Sequence, residues 1–343
     1  MGANRTFRSP RCTARTLLRQ KHSLAWDSLN PLDNRVAANR PVPKEDVING
    51  FNTARYTHRK WAASLDLRLQ RCGNRTILAH SQHQGPLRLQ RPFFPEGPGL
   101  PHLYLLHPPG GLAPGDWLKT QVHCENGAEA LVTTPSANRV YCTDTHGHGQ
   151  TQISELRADA DACIEWLPQE TLVFDNAKAQ LQLKIEAQMS ARFFAWELLV
   201  LGRTGSDAPF ERGTCQQRIE VLLDGLPVLS ECTHLEGGSQ LMASPWGLDG
   251  GTVAGIWVCH GIPCQDHRHW LSRLREAAAD TLARTPEATR DLRIAFTRKD
   301  SLLIGRIIGN DSEAVRNLFI HCWEILRPAL NGRPAIPPRI WAT

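Results

Sequence analysis

No C-x-x-C pair occurs in this sequence, although it carries ten cysteines, at 12, 72, 124, 142, 163, 215, 232, 259, 264 and 322. Scattered thiols in a 343-residue chain that opens with no signal-peptide pattern read as reduced, cytoplasmic and mostly core residues. A disulfide framework is excluded. No apolar run approaches the ~20 residues a helix needs to cross a bilayer, so no membrane partner is expected. P-loop, strand–GxGxxG–helix, GxSxG, HExxH and EF-hand signatures are all missing, which removes the commonest catalytic and cofactor sites.

Acidic residues are missing before Asp27. Residues 1–56 hold ten Arg or Lys against four acids, a balance of +6 that leaves residues 57–343 at −1 of the chain's +5. A nucleic-acid binder would show a basic face in its folded part, so no nucleic-acid partner is expected. Segment 1–56 reads as a disordered extension or as translated sequence upstream of the true start, in preference to an Arg-rich transit peptide. Folding is expected to begin near Trp61, in a body spanning residues 57–343.

What is present is period two. Leu65, Leu67 and Leu69 alternate with Asp66, Arg68 and Gln70, and Leu181, Leu183 and Ile185 alternate with polar neighbours. Further strands are expected at Thr76–Ala79, Ile153–Leu156, Cys163–Leu167, Phe193–Leu201 and Thr252–Cys259. Two hairpins are expected from their turn dipeptides, Asn126-Gly127 and Asp224-Gly225, and a third around Arg298–Asp300. Helical spacing is confined to Asp266–Ala283 and Ser312–Leu326, the second capped by Asp311 or Ser312 and stopped by Pro328. Strands through the body and two helices near the end predict a mainly β domain, and without a fixed-period repeat any β-helical stacking is irregular. Apolar faces on the late helices are the expected partner contacts.

One stretch is unusual in its backbone chemistry. Leu89–Asp116 packs seven prolines and five glycines into 28 residues around the apolar run His102–His107. Proline fixes φ and removes a donor, so this ribbon is expected to be rigid, with a short buried strand between two irregular loops. Candidate chemistry elsewhere is sparse. Glu165 and Glu170 form a carboxylate pair across Pro168, suited to acid/base work if they face one cleft. His146-Gly147-His148 and Cys264/His267/His269 carry metal-capable side chains, yet short groupings of this kind more often are exposed polar residues.

Several segments carry a resemblance. Gly85–Gly97 (GPLRLQRPFFPEG), Leu106–Gly111 (LHPPGG) and Gly115-Asp116 resemble segments of the UreD family of urease accessory proteins. Thr133-Thr134-Pro135, Glu165–Glu170 (EWLPQE), Trp196-Glu197, Leu201–Arg203, Leu326–Pro328 and the terminal Pro338–Thr343 follow in the family's order. The match runs from about Trp61 to Thr343. Cys142 departs from it, standing where relatives usually have arginine, and the two histidine groupings are not family motifs.

The resemblance implies an irregular β-helix-like stack of strands with helices near the C-terminus. It also implies a role without catalysis: a scaffold for nickel insertion into the urease apoprotein, bound to UreF and through UreF to the GTPase UreG. No permanent cofactor is expected, only transient nickel moving through an internal passage. Motif residues able to line such a path are Glu96, His107, Asp116, Glu165, Glu170, Asp175 and Glu197, since Ni²⁺ in transit needs carboxylate, imidazole or water ligands that release it. The competing expectation is a β-helical hydrolase that uses Glu165 and Glu170.

Overall fold

Leu65, Leu67 and Leu69 point into a shared interior while their neighbours face outward, and the same alternation recurs along most of the long strands. The computed structural model describes residues 61–284 and 291–342. Segment 1–56 lies outside the described residues.

Two sheets face each other. The first is built from β1 (Trp61–Cys72), β2 (Arg75–Gln84), β5 (Asp116–Cys124), β8 (Gln150–Ala158), β11 (Ala177–Ala187), β13 (Gly213–Leu223) and β14 (Leu226–Glu236). Its order is β14-β13-β11-β8-β5-β1-β2, with the five inner strands parallel and the two edges antiparallel. The second sheet contains β3 (Arg88–Leu89), β4 (His102–Leu106), β6 (Glu129–Thr133), β9 (Cys163–Leu167), β12 (Arg192–Leu201), β15 (Val253–His260), β16 (Arg293–Lys299) and β17 (Leu302–Gly309). Strands β4, β6, β9 and β12 are parallel there. A short third side comes from β7 (Asn138–Val140) and β10 (Thr171–Val173), which pairs with the far end of β12. Successive turns of chain thus stack one strand on each side, the irregular β-helix-like arrangement.

The stacking corrects one expected hairpin. Asn126-Gly127 does make a turn, with Gly127 at φ 69 and the Ala128 amide donating to the Glu125 carbonyl. The strands on either side nonetheless belong to different sheets: β5 pairs with β1 and β8, and β6 with β4 and β9. The turn is an arch between layers, because each strand finds its partner one rung away. Asp224-Gly225, at φ 47 and 77, closes a true antiparallel hairpin between β13 and β14, and β16 and β17 pair likewise around Asp300.

Helices α2 (His267–Arg284) and α3 (Ser312–Asn331) follow a short α1 (Gln240–Ala243). Asp311 caps α3, its carboxylate accepting from the Glu313 and Ala314 amides. Pro328 does not stop it. The helix continues to Asn331 and ends at Gly332 in the left-handed region, where the Gly332 amide donates to the Pro328 carbonyl. The apolar face of α3 is not exposed either: Val315, Leu318, Phe319, Cys322, Trp323 and Leu326 are buried in one cluster with Trp196, Leu198 and Trp257 of the second sheet. The large exposed hydrophobics lie elsewhere, chiefly Trp246 at 94 % and Leu226 at 70 %. Among the described residues no helix is long and apolar enough to cross a membrane.

Candidate functional site

Strand β12 shows how the site arises. Phe193 and Ala195 fill the interior cluster, Leu199 and Leu201 fill the next, and the inward position between them is Glu197. Strand β8 breaks its apolar row at the same level: Leu156 and Ala158 give way to Ser154 and Gln152. Where inward positions turn polar the sheets cannot close on each other, and a cavity of about 360 Å³ remains between them. Leu105, Leu118 and Trp166 form its apolar part, and Thr120, Gln152, Ser154 and Asn138 its polar part.

Among the described residues, two titratable ones line this cavity, His107 and Glu197. Glu197 is enclosed by protein, and the surface it keeps faces the cavity. Its Oε1 accepts from Trp166 Nε1 at 3.0 Å. Burial pushes its carboxyl up to about 7, against the smaller downward pull of the Trp166 hydrogen bond. Burial also lowers the pKa of His107, whose Nδ1 is buried with no partner among the described residues. An imidazole and a carboxylate lining one largely apolar cavity offer nitrogen and oxygen donors to a hydrated cation. A volume of about 360 Å³ has room for roughly ten waters at ~30 Å³ each.

Glu165 occupies the opposite face of the same sheet. It neighbours the inward Trp166 on β9, so it points outward beneath α3, where it is fully buried. Arg327 binds it through Nε and Nη2 at 2.9 and 3.1 Å, Trp323 Nε1 at 2.5 Å and Asn331 Nδ2 at 2.9 Å. The same guanidinium binds Glu96 at 2.7 and 2.8 Å, and Glu96 also contacts His102 Nε2 at 2.7 Å. Burial raises the Glu96 carboxyl, but the hydrogen bonds and charges of His102 and Arg327 together outweigh it and hold the group below its ordinary value. Two buried carboxylates sharing one guanidinium are a structural clasp, which fastens α3 to the proline-rich ribbon and to β9.

The remaining candidates scatter. Asp116 is buried at the head of β5, its carboxylate accepting from the Ala113 amide at 2.8 Å and so shaping the turn. Asp175 pairs with Arg212 and accepts from the Glu211 and Arg212 amides. Glu170 sits between the lining residues Gln169 and Thr171, but its own side chain does not line the cavity. The structure therefore brings His107 and Glu197 to one cavity, groups Glu96 with Glu165 behind the sheet, and leaves the other three apart.

In each of the other metal-capable groupings one histidine is engaged by the protein. His148 Nδ1 meets Asp144 at 2.6 Å, and that hydrogen bond is the largest of the effects lowering the Asp144 carboxyl to about 2. His267 is buried with Nε2 on the Ile262 carbonyl. Among the described residues no three His, Cys, Asp or Glu side chains gather as a metal site. Cys124, Cys163, Cys215, Cys259 and Cys322 are buried; burial pushes Cys215 and Cys322 up to about 12 and raises the other three as well, so these thiols stay protonated.

Arg327 is the residue that sequence patterning misses. Its signal is a basic side chain on the buried stripe of α3, one turn after Trp323 and before Leu330. His102, read as part of an apolar strand, is the second.

Comparison with known proteins places these features. The family model of the UreD urease accessory protein matches residues 62–342. The urease accessory protein UreD of Hahella chejuensis is 44% identical over 286 residues, covering 83% of this chain and 91% of that protein. Those of Saccharophagus degradans and Marinobacter nauticus are 40% and 39% identical, over 83% and 84% of this chain and 94% of each relative. With nearly all of the described body matched, the chain belongs to the UreD family of urease accessory proteins.

Proposed function

We propose that this protein supports nickel insertion into the urease apoprotein in the cytoplasm, working in a complex with UreF and, through it, the GTPase UreG. The cavity between the sheets is part of the passage that the ion follows, with His107 and Glu197 as its transient ligands. The observation that carries this is the interior row of β12: in a family of urease accessory proteins, one carboxylate, Glu197, lines the cavity between the sheets together with one imidazole, His107. Two donors and retained water bind a divalent ion weakly enough to release it, which suits transport better than storage.

Glu165 gives the hydrolase alternative no support. Its oxygens are taken by Arg327, Trp323 and Asn331 beneath α3, on the face of the sheet away from the cavity.

The test is nickel content of urease purified from cells that lack this protein or carry Glu197→Ala plus His107→Ala. Deletion should leave urease polypeptide present but nickel-poor and inactive; normal nickel loading would overturn the accessory role. The double variant should co-purify with UreF and UreG yet load urease slowly. Full loading by that variant would remove the cavity from the path.

A further inference from the structure

Beyond α3 the chain does not end at the helix. The segment Arg333–Ala342 runs back across the outer face of the second sheet and is fastened at several points. Arg333 Nη2 binds Glu129 at 2.9 Å, Arg327 donates to the Pro334 carbonyl, and the backbone of Arg339 and Ile340 meets the Tyr104 hydroxyl. Trp341 is its main anchor. Its ring lies 5.8 Å from that of Trp196 and 6.0 Å from that of Trp323, with the Arg316 guanidinium 5.4 Å over it.

The indole N–H of Trp341 does something that packing does not require. It donates to Thr133 Oγ1 at 2.9 Å, and that hydroxyl in turn donates to the Leu167 carbonyl at 2.5 Å. Thr133 and Leu167 are the last residues of β6 and β9. The loops that follow them form one rim of the cavity: Thr134–Asn138 on one side and Pro168, Gln169 and Thr171 on the other. The two loops are tied to each other, the Gln169 amide donating to Thr134 Oγ1 at 2.9 Å and the Asn138 amide to the Glu170 carbonyl at 2.9 Å. Trp196, which packs against Trp341, donates to the Pro168 carbonyl at 2.7 Å. A tryptophan on the outer face is thus linked by single side chains to both halves of a rim that opens on the inner face.

We propose that Trp341 and Thr133 are positioning residues for the cavity rim, so that seating of the C-terminal strap holds the two rim loops together and lifting it loosens them. The importance of this for ion movement rests on the passage proposed above; the coupling itself does not. The strap packs on the core at its edge, through Ala335 and Trp341, whereas the apolar face of α3 is part of that core, so the strap lifts more easily than the helix. It gives an event on the outside of the protein a mechanical line to the interior cavity.

Hydrogen exchange read by mass spectrometry on the full chain tests the coupling without nickel. Trp341→Phe keeps an aromatic ring and removes the N–H. Thr133→Val keeps the shape and removes the hydroxyl, while Thr133→Ser restores it. In Trp341→Phe and Thr133→Val the peptides containing Asn138 and Gln169 should exchange about fivefold faster, the effect of one lost hydrogen bond. Thr133→Ser should match the wild type, and α3 should be unchanged in all three. Wild-type exchange at the rim in both altered proteins would overturn the proposal, as would a Thr133→Ser protein that behaves like Thr133→Val. A rise spread evenly through α3 and β12 would show general loosening and overturn it too. If Trp341→Phe does not fold, Thr133→Val alone decides, since it leaves the aromatic slot intact. Nickel loading by the Glu197 and His107 double variant separates this outcome from failure of the passage, because rim exchange can change whether or not ions use the cavity.

Discussion

Replacing Glu197 with glutamine should stabilise the protein at alkaline pH and do almost nothing in mild acid. The carboxyl sits at about 7 in the fold against 4.5 as an ordinary side chain. Below pH 4.5 it is protonated in both folded and unfolded chains, and the fold bears no penalty. Between 4.5 and about 7 the unfolded chain ionises and the folded one resists, so stability falls as pH rises. Above 7 the whole cost is present: the gap between 4.5 and about 7, at about 1.36 kcal/mol per pH unit, comes to about 3 kcal/mol. Glutamine keeps a carbonyl oxygen for Trp166 Nε1 and removes the charge. Urea unfolding of wild type and Glu197→Gln at pH 8 should therefore differ by about 3 kcal/mol in favour of the variant, and by under about 1 kcal/mol at pH 5. An equal difference at the two pH values, or a variant less stable at pH 8, would refute the account of Glu197 as a buried carboxylate without a cation to balance it.

Arg327→Met should behave in the opposite way, leaving Glu96 and Glu165 buried without their shared cation and costing about 3–5 kcal/mol; at about 2.1 cal/mol/K per residue over roughly 280 residues, that lowers Tm by about 7 °C in a thermal melt. Adding Glu96→Gln and Glu165→Gln should recover much of that loss, because neutral amides need no counter-charge. Gly305→Ala would bring a Cβ within 2.3 Å of the Trp257 indole, which is fully buried, so a loss of at least 1–3 kcal/mol is expected in urea unfolding. Asp311→Ala removes the acceptor for two amides at the start of α3 and should cost about 1 kcal/mol, with faster exchange confined to the first turn of that helix.

Most strands are legible from period two because one face of each is buried and the other wet. Their partners are not, since alternation says which face is inside but not which neighbour is bonded. Asn126-Gly127 shows the limit: the turn chemistry is right, but the parallel ladders on either side decide that it joins two sheets. Pro328 shows another. Its missing N–H falls in the last turn of α3, where Gly332 and the contacts of Arg327 and Asn331 carry the helix past it. For the candidate site the acids were visible as residues but not as sides of a sheet. Glu165 and Glu197 look alike in sequence, each beside a tryptophan; only the pairing of β9 with β12 puts one under α3 and the other in the cavity.

The parallel rungs have a consequence for how the molecule comes into being. Trp61 pairs with Asp116 and Gln150 with Ala179, so outside the hairpins β1–β2, β13–β14 and β16–β17 the stack forms from residues distant in sequence. Chains dominated by such distant pairings fold slowly and spend longer with unpaired strands exposed. Among the described residues the first sheet ends in two long edges, β2 and β14, with no strand beyond them. A partner present during synthesis would therefore protect this protein as much as employ it, and yield in a cell should depend on what is made beside it.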